Sequence, residues 1–134
     1  MKIVAIIQAR MASTRLPGKV LLDVCGKPLL HYVVERTRLC PLLDDVIVAT
    51  GDIAPDDVIA NFCHEHGYPC FRGHPDDVLK RYEDAARSVD ADVIVRITAD
   101  CPLIDPDIIA QVITTFKDGG YDYVSNEIKR TFPH

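Results

Sequence analysis

The stretch K-I-V-A-I-I (residues 2–7), followed directly by Q-A-R-M-A-S-T-R-L-P-G-K-V-L (residues 8–21), decides the fold of this chain. The first part is a short, mostly apolar run, which is typical of a buried strand. The second part is broken by the Pro-Gly pair at 17–18, which predicts a loop. It contains three cations: Arg10, Arg15 and Lys19. A loop at the carboxyl end of the first strand is where open α/β sheets bind phosphates. We therefore expect a nucleoside triphosphate as the ligand.

The distribution of charge indicates that the first loop binds a small polyanion and is not simply a basic surface loop. The formal net charge is −5, yet residues 1–38 contain seven Lys/Arg against two Asp/Glu. The remaining residues are strongly acidic. A nucleic-acid-binding protein is expected to be basic overall, with a broad basic stripe. This pattern therefore argues against nucleic acid as a partner.

Composition predicts one globular domain spanning residues 1–134. Hydrophobic residues make up 48% and charged residues 26%, which is ordinary for a folded domain. No apolar run approaches the ~20 residues that span a bilayer, and the apolar start is too short for a signal peptide. We expect a cytoplasmic protein without a membrane partner. The five cysteines include no C-x-x-C pair, so free thiols are expected.

Zinc is a weaker possibility near the middle of the chain. The segment Cys63-His64-Glu65-His66 and Cys70 provide residue types that zinc uses as ligands. However, adjacent residues at the end of a helix point in different directions around its axis. We therefore do not expect zinc here.

Hydrophobic periodicity alternates between strands and helices along the chain. Strands are predicted at 2–7, 45–49, 69–72, 92–97 and 121–124. Helices are predicted at 28–39 (with Pro28 in the first turn), 55–66, 76–89, and from Asp105-Pro106 onward. The predicted buried face of the first helix consists of Leu29, Leu30, Val33, Val34 and Leu39. Continuous apolar strands alternating with helices predict a parallel sheet with helices on both faces.

The carboxyl ends of parallel strands lie at one edge of the sheet, where ligands bind. The predicted nucleotide-binding residues at and near this edge are Gln8, Ala9, Arg10, Arg15, Lys19, Thr50, Arg72, Asp77 and Thr98. The first loop matches neither the Walker A motif nor G-x-G-x-x-G, because Gly18 is its only glycine. Its phosphate contacts must therefore come mainly from forked arginine bonds and the point charge of Lys19.

Two acidic segments follow strands at this edge. In V-R-I-T-A-D-C-P-L-I-D-P-D (95–107), Asp100 is a predicted Mg²⁺ ligand, although it could instead cap the turn. Asp105 and Asp107 fit a helix N-terminus better than a D-x-D metal motif. In F-R-G-H-P-D-D-V-L-K-R-Y (71–82), one aspartate is expected to cap a helix and the other to hydrogen-bond a base or a ribose.

In combination, these motifs resemble the cytidylyltransferase family that activates sugar acids. The first loop with G-K-P-L is similar to that of CMP-KDO synthetases. V-I-V-A-T, F-R-G-H-P-D-D-V-L-K-R-Y, V-R-I-T-A-D-C-P-L-I-D-P and D-Y-V-S-N with R-T-F-P are closer to the spore-coat polysaccharide biosynthesis protein F branch. The resemblance runs from residue 1 to 134. It implies a Rossmann-like three-layer α/β/α fold of the nucleotide-diphospho-sugar transferase type, Mg²⁺ as cofactor and a homodimer.

The resemblance also implies an activity. Arg10, Arg15 and Lys19 match triphosphate-binding positions and Asp100 a metal ligand, with Arg10, Lys19 and Asp100 as the catalytic residues. The implied reaction transfers CMP from CTP to a sugar acid, with release of pyrophosphate, in cell-surface or spore-coat polysaccharide biosynthesis. Family members are longer, so this chain is expected to lack their C-terminal half. The alternatives are a non-catalytic nucleotide-binding module and, more weakly, a Mg²⁺-dependent glycosyltransferase.

Overall fold

The computed structural model describes residues 2–12, 18–99 and 104–119. In these ranges the strands are β1 (Ile3–Gln8), β2 (Asp23–Val24), β3 (Lys27–Pro28), β4 (Asp45–Gly51), β5 (Cys70–Gly73) and β6 (Val93–Thr98). The α-helices are α1 (Leu29–Arg38), α2 (Asp57–His66), α3 (Val78–Ser88) and α4 (Pro106–Gly119). Short 3-10 helices cover Lys19–Leu21 and Ala54–Asp56. The strand predicted at 121–124 lies outside the described residues.

β1 is an inner strand of a four-stranded parallel sheet with the order β5-β4-β1-β6. It pairs in parallel with β4 and with β6, so that Ile6 lies between Ile47 and Arg96. All five residues from Ile3 to Ile7 are buried, which explains the continuous apolar run. Because β4 and β5 are also parallel, the carboxyl ends of all four strands lie at one edge. The predicted parallel α/β architecture is confirmed.

Helices pack on both faces of this sheet through two hydrophobic clusters, one on each face. On one face, β-strand residues pack with the buried sides of α1, α2 and α4, represented by Val33, Ile59 and Ile109. On the other face, Ile6 and Ile47 pack with α3, represented by Tyr82, Ala85 and Ala86. Successive β-strand side chains point to opposite faces, so β1 contributes to both clusters. This is the three-layer α/β/α arrangement.

The prediction that Leu39 belongs to the buried face of α1 is wrong. Leu39 is 67% exposed, whereas Thr37 is fully buried. The buried face follows helical spacing through Leu30, Val33 and Thr37, and a residue two positions further lies on the opposite side of the axis. Thr37 is accommodated because its hydroxyl donates to the carbonyl of Val33 at 2.7 Å. The other four predicted face residues are buried.

A short antiparallel hairpin precedes α1 and was not predicted. β2 and β3 pair Asp23 with Pro28 and Val24 with Lys27. The two turn residues, Cys25 and Gly26, both have positive φ angles of 52° and 90°, which is the backbone of a two-residue hairpin turn. Pro28 belongs to this hairpin, so α1 begins at Leu29, one residue later than predicted.

The helix boundaries are set by local capping groups. α2 ends at Gly67 in the left-handed conformation, as predicted. α3 begins at Val78 because the Asp77 carboxylate accepts from the backbone N–H of Lys80 at 3.0 Å. Asp105 similarly accepts from the N–H of Asp107 at 2.8 Å, which confirms its predicted role at the start of α4. Among the described helices, none is long and apolar enough to cross a membrane.

Truncation of Leu30 to alanine should lower the free energy of unfolding by about 2–5 kcal/mol, because this fully buried side chain would leave a cavity. Leu39→Ala, at the exposed residue directly after this helix, is the matched control, and it should change stability by about 0.5 kcal/mol or less. Urea denaturation of both variants measures the difference. Equal destabilisation by the two changes would contradict the observed face of α1.

Candidate functional site

The first loop closes on a backbone hydrogen bond at the sheet edge. The N–H of Gly18 donates to the carbonyl of Met11 at 2.8 Å, which brings the two ends of the loop together. Arg10 precedes Met11 and Lys19 follows Gly18, so both cations flank this closure. Both side chains are half-buried. The structure therefore brings two of the three predicted loop cations to the same end of the sheet.

Gly18 is required at this closure for conformational reasons. Its φ angle is +75°, which L-residues with side chains rarely adopt. A Cβ atom there would also contact the Met11 side chain at 3.4 Å. The glycine thus permits the tight return of the chain from the loop into the 3-10 helix at Lys19–Leu21.

Asp56 attaches the first loop to the end of β4. Its carboxylate accepts from the N–H of Met11 at 2.9 Å and from the N–H of Gly51 at 3.1 Å. The residue is only 3% exposed. Hydrogen bonds from backbone N–H groups to a buried carboxylate are strong and directional, so Asp56 fixes where the cationic loop leaves the sheet. Sequence reasoning missed it, because D-D after Pro55 resembles an ordinary helix start.

The strand-end residues predicted from sequence do meet at one edge. Gln8 pairs with both Ala49 and Thr98, and the N–H of Ala9 donates to the carbonyl of Ala49 at 3.0 Å. Thr98 is exposed and Gln8 half-buried. Thr50 is fully buried beneath the edge, and its hydroxyl has no hydrogen-bond partner among the described residues.

Arg72 is engaged within the protein at the end of β5. Its guanidinium donates to the carbonyls of Gly51 and Ile53 at 2.9–3.1 Å and pairs with the Asp57 carboxylate at 2.7 Å. These bonds tie β5 to the segment before α2. Nucleotide binding by Arg72 stays a prediction, and in this arrangement the side chain supports the edge.

The segment after β5 is organised by His74. The N–H groups of Asp76 and Asp77 both donate to His74 Nδ1, at 3.1 and 2.9 Å. Since Asp77 caps α3, Asp76 is the aspartate of this pair without a capping role. Nucleotide binding by Asp77 stays a prediction, and the contact observed for its carboxylate is the cap on α3.

Arg81 is a cation that sequence reasoning missed. It lies on α3, is 1% exposed, and donates from Nη1 to the carbonyls of His74 and Pro75 at 2.6 and 3.3 Å. Burial lowers the pKa of Arg81 and the nearby charge of Arg10 lowers it further, whereas Tyr82 and Asp56 oppose the shift. An arginine in a helix rich in charged residues is expected to face solvent. The signal that could have found it is helical spacing, because position 81 is three residues after Val78 and four before the buried Ala85.

Two of the predicted site residues, Arg15 and Asp100, lie outside the described residues. Within the described ranges, no three His, Cys, Asp or Glu side chains are grouped so as to hold a metal ion. Of the weak zinc candidates, Cys63 is buried. The neighbouring Cys70 and burial both raise the pKa of the Cys63 thiol. His66 stacks on Tyr68 with ring centroids 5.7 Å apart.

Residues 4–133 match a family model described as cytidylyltransferase. The spore coat polysaccharide biosynthesis protein SpsF of Bacillus subtilis is 39% identical over 90% of this chain and 52% of its own length.

Two solved structures are also similar. A cytidylyltransferase from Leptospira borgpetersenii superposes with a TM-score of 0.83 at 39% identity, over 88% of this chain and 50% of that chain. A CMP:2-keto-3-deoxy-manno-octonic acid synthetase complexed with CTP gives a TM-score of 0.76 at 30% identity, over 90% and 49%. The chain thus spans about half the length of the relatives it matches.

Replacing Asp56 by alanine should lower the free energy of unfolding by about 2 kcal/mol or more, because two backbone N–H groups lose their buried acceptor. Amide hydrogen exchange at Met11 and Gly51 should accelerate, since these groups donate to Asp56. Asp56→Asn retains one acceptor oxygen and should have an intermediate effect. Hydrogen exchange with urea denaturation measures both quantities.

The control for this prediction is Asp52→Ala, which removes an exposed carboxylate from the same connection. It should leave stability within about 0.5 kcal/mol of the parent. If Asp56→Ala and Asp52→Ala change the exchange of Met11 equally, Asp56 does not attach the loop.

Proposed function

This chain belongs to the cytidylyltransferase family, and we propose that it binds CTP at the cation-bearing edge of its sheet. We further propose that it transfers the cytidylyl group to a sugar acid. One observation above all supports the proposal: the Met11–Gly18 hydrogen bond sets Arg10 and Lys19 at one loop closure, where the carboxyl ends of the parallel strands meet. Anionic groups of a nucleotide are favoured at this place in an open α/β sheet.

The substrates in this proposal are inferred from the names of similar proteins. The synthetase that superposes on this chain has CTP bound and is named for a keto-deoxy sugar acid, and a similar protein is named for polysaccharide biosynthesis. A sugar acid as acceptor and a role in making surface or spore-coat polysaccharide are the corresponding proposals for this chain. A homodimer and a cytoplasmic location remain predictions from the sequence.

In the proposed reaction, a hydroxyl of the sugar acid attacks the α-phosphorus of CTP. The bond from this phosphorus to the oxygen bridging to the β-phosphate breaks, and pyrophosphate leaves as the hydroxyl gives up its proton. Negative charge grows on the departing pyrophosphate. Fixed cations next to that charge lower the barrier, since they need no reorganisation when the reaction occurs. Arg10 and Lys19 have this role in the proposal, together with Arg15.

Mg²⁺ is the proposed cofactor, with Asp100 as its predicted ligand. Bound there, the ion would polarise the α-phosphate and offset its charge. Asp100 lies outside the described residues, and the roles proposed for Arg10 and Lys19 are based on their own positions at the loop closure.

A non-catalytic nucleotide-binding module is the second candidate, because the chain matches about half the length of its relatives. Both candidates require CTP to bind, and only the first requires pyrophosphate release. Calorimetry with CTP, combined with a pyrophosphate-release assay over a panel of sugar acids, therefore separates them. Binding without release supports the module, and absence of binding contradicts both.

Arg10→Ala should lower turnover of CTP by roughly a hundredfold or more, because removing one group that stabilises transition-state charge typically costs ~3–4 kcal/mol. Asp100→Asn should have an effect of similar size if Asp100 binds Mg²⁺. Initial rates of pyrophosphate release at saturating CTP measure both effects.

The matched control is Arg87→Ala on α3, where the Arg87 side chain is 75% exposed and pairs with Glu83 in the same helix. This variant removes one positive charge away from the proposed site, so it should turn over CTP like the parent. Parent-like rates for Arg10→Ala and Asp100→Asn would show that the site is assigned wrongly.

A further inference from the structure

Arg81 is a buried cation with free donors. Within the described part of the chain, Nε and Nη2 have no hydrogen-bond partner, although the residue is 99% buried. Only Nη1 is occupied, by the carbonyls of His74 and Pro75. Leaving a buried donor unpaired destabilises the folded state, and a charged donor does so more strongly than a neutral one. Such a pair of donors in a stable fold calls for an acceptor that binds there.

The position of Arg81 links these donors to the proposed nucleotide site. Its side chain passes beneath Gly73 at the end of β5, where a Cβ atom would lie 3.1 Å from Arg81 Cγ. It then reaches the segment after β5 through its bonds to residues 74 and 75. Pro75, whose carbonyl accepts from Arg81, lies against Gly51 at the end of β4, where a Cβ atom would be 3.5 Å from Pro75 Cα. Arg81 therefore extends from α3 to the edge where the first loop leaves the sheet.

The chemistry of the free donors restricts the ligand. The Nε–H and Nη2–H bonds of a guanidinium are parallel, so they match two acceptor atoms side by side. In the proposed function the phosphates are bound by the half-buried cations Arg10 and Lys19. The acceptor pair for Arg81 is therefore expected on another part of the nucleotide.

Cytosine presents such a pair. Its O2 and N3 atoms both accept hydrogen bonds, whereas uracil has an N–H donor at N3 that would face the donors of Arg81. We infer that Arg81 donates Nε–H and Nη2–H to O2 and N3 of the cytosine ring, and that this contact selects CTP over UTP. The inference rests on the proposed function, in which CTP is the nucleotide. Both nitrogens are covered in this structure, so the inference requires the residues that cover them to move when the base binds.

The direct test follows the Arg81 Nε–H resonance of the parent protein by ¹⁵N NMR, assigned through bonds. Saturating CTP should shift this resonance, whereas inorganic triphosphate and UTP should leave it nearly unchanged. A resonance unmoved by bound CTP, or moved equally by inorganic triphosphate, would overturn the inference. Because the parent is used, the test does not depend on a variant that must fold.

The second test compares binding of CTP and UTP to Arg81→Lys, which keeps the charge but loses the parallel donors. A bidentate contact to a base contributes about 1–3 kcal/mol of discrimination, so the preference for CTP should fall roughly tenfold or more. Affinity for inorganic triphosphate should stay near the parent value. Arg87→Lys, an exposed substitution on the same helix, should keep the full preference.

The outcomes also separate this inference from the proposed function. A parent that binds no CTP contradicts the proposed function itself. A parent that binds CTP and releases pyrophosphate, but binds UTP equally well, leaves the proposed function standing and overturns the role of Arg81. An unchanged CTP preference in folded Arg81→Lys has the same meaning.

Discussion

The constraint on which the structure depends is the burial of β1 between two parallel neighbours. Every residue from Ile3 to Ile7 is covered, so the strand cannot tolerate polar side chains until it ends at Gln8. Its first polar and cationic groups therefore emerge at the carboxyl edge, and β4 and β6 run in the same direction beside it. The hydrophobic effect that buries the strand thereby also determines where charge begins to be exposed.

Buried polar contacts connect the chain segments at this edge of the sheet. Asp56 connects the first loop to β4 through two backbone N–H groups, and Arg72 connects β5 to the segment before α2. Arg81 supports the segment after β5 from below. The Asp56 and Arg72 contacts each join chain segments that leave neighbouring strands, whereas Arg81 joins the segment after β5 to the helix that follows it.

Much of the architecture could be predicted from the sequence because it depends on local patterns. Continuous apolar runs located β1, β4 and β6, and Gly67 and Asp105 located helix ends. The errors have equally local causes. The short hairpin before α1 depends on two positive φ angles, and Leu39 was assigned to a buried face that helical spacing does not allow. The site was predicted less completely, since Arg81 looks solvent-facing in its helix and Asp56 looks like part of a helix start.

The sequence by itself determined the alternation of the four parallel strands with the four α-helices, the cationic first loop and the resemblance to cytidylyltransferases. These features follow from periodicity and motifs within short windows. Only the tertiary structure decided that Asp56 would reach Met11, 45 positions earlier in the chain, and that Arg72 would be engaged by backbone carbonyls. It also decided that Arg81 would be buried with two donors unpaired among the residues that the structure describes. The physical reason is that such contacts arise where separate strand ends pack together, and no residue's neighbours in sequence specify which distant group it will meet.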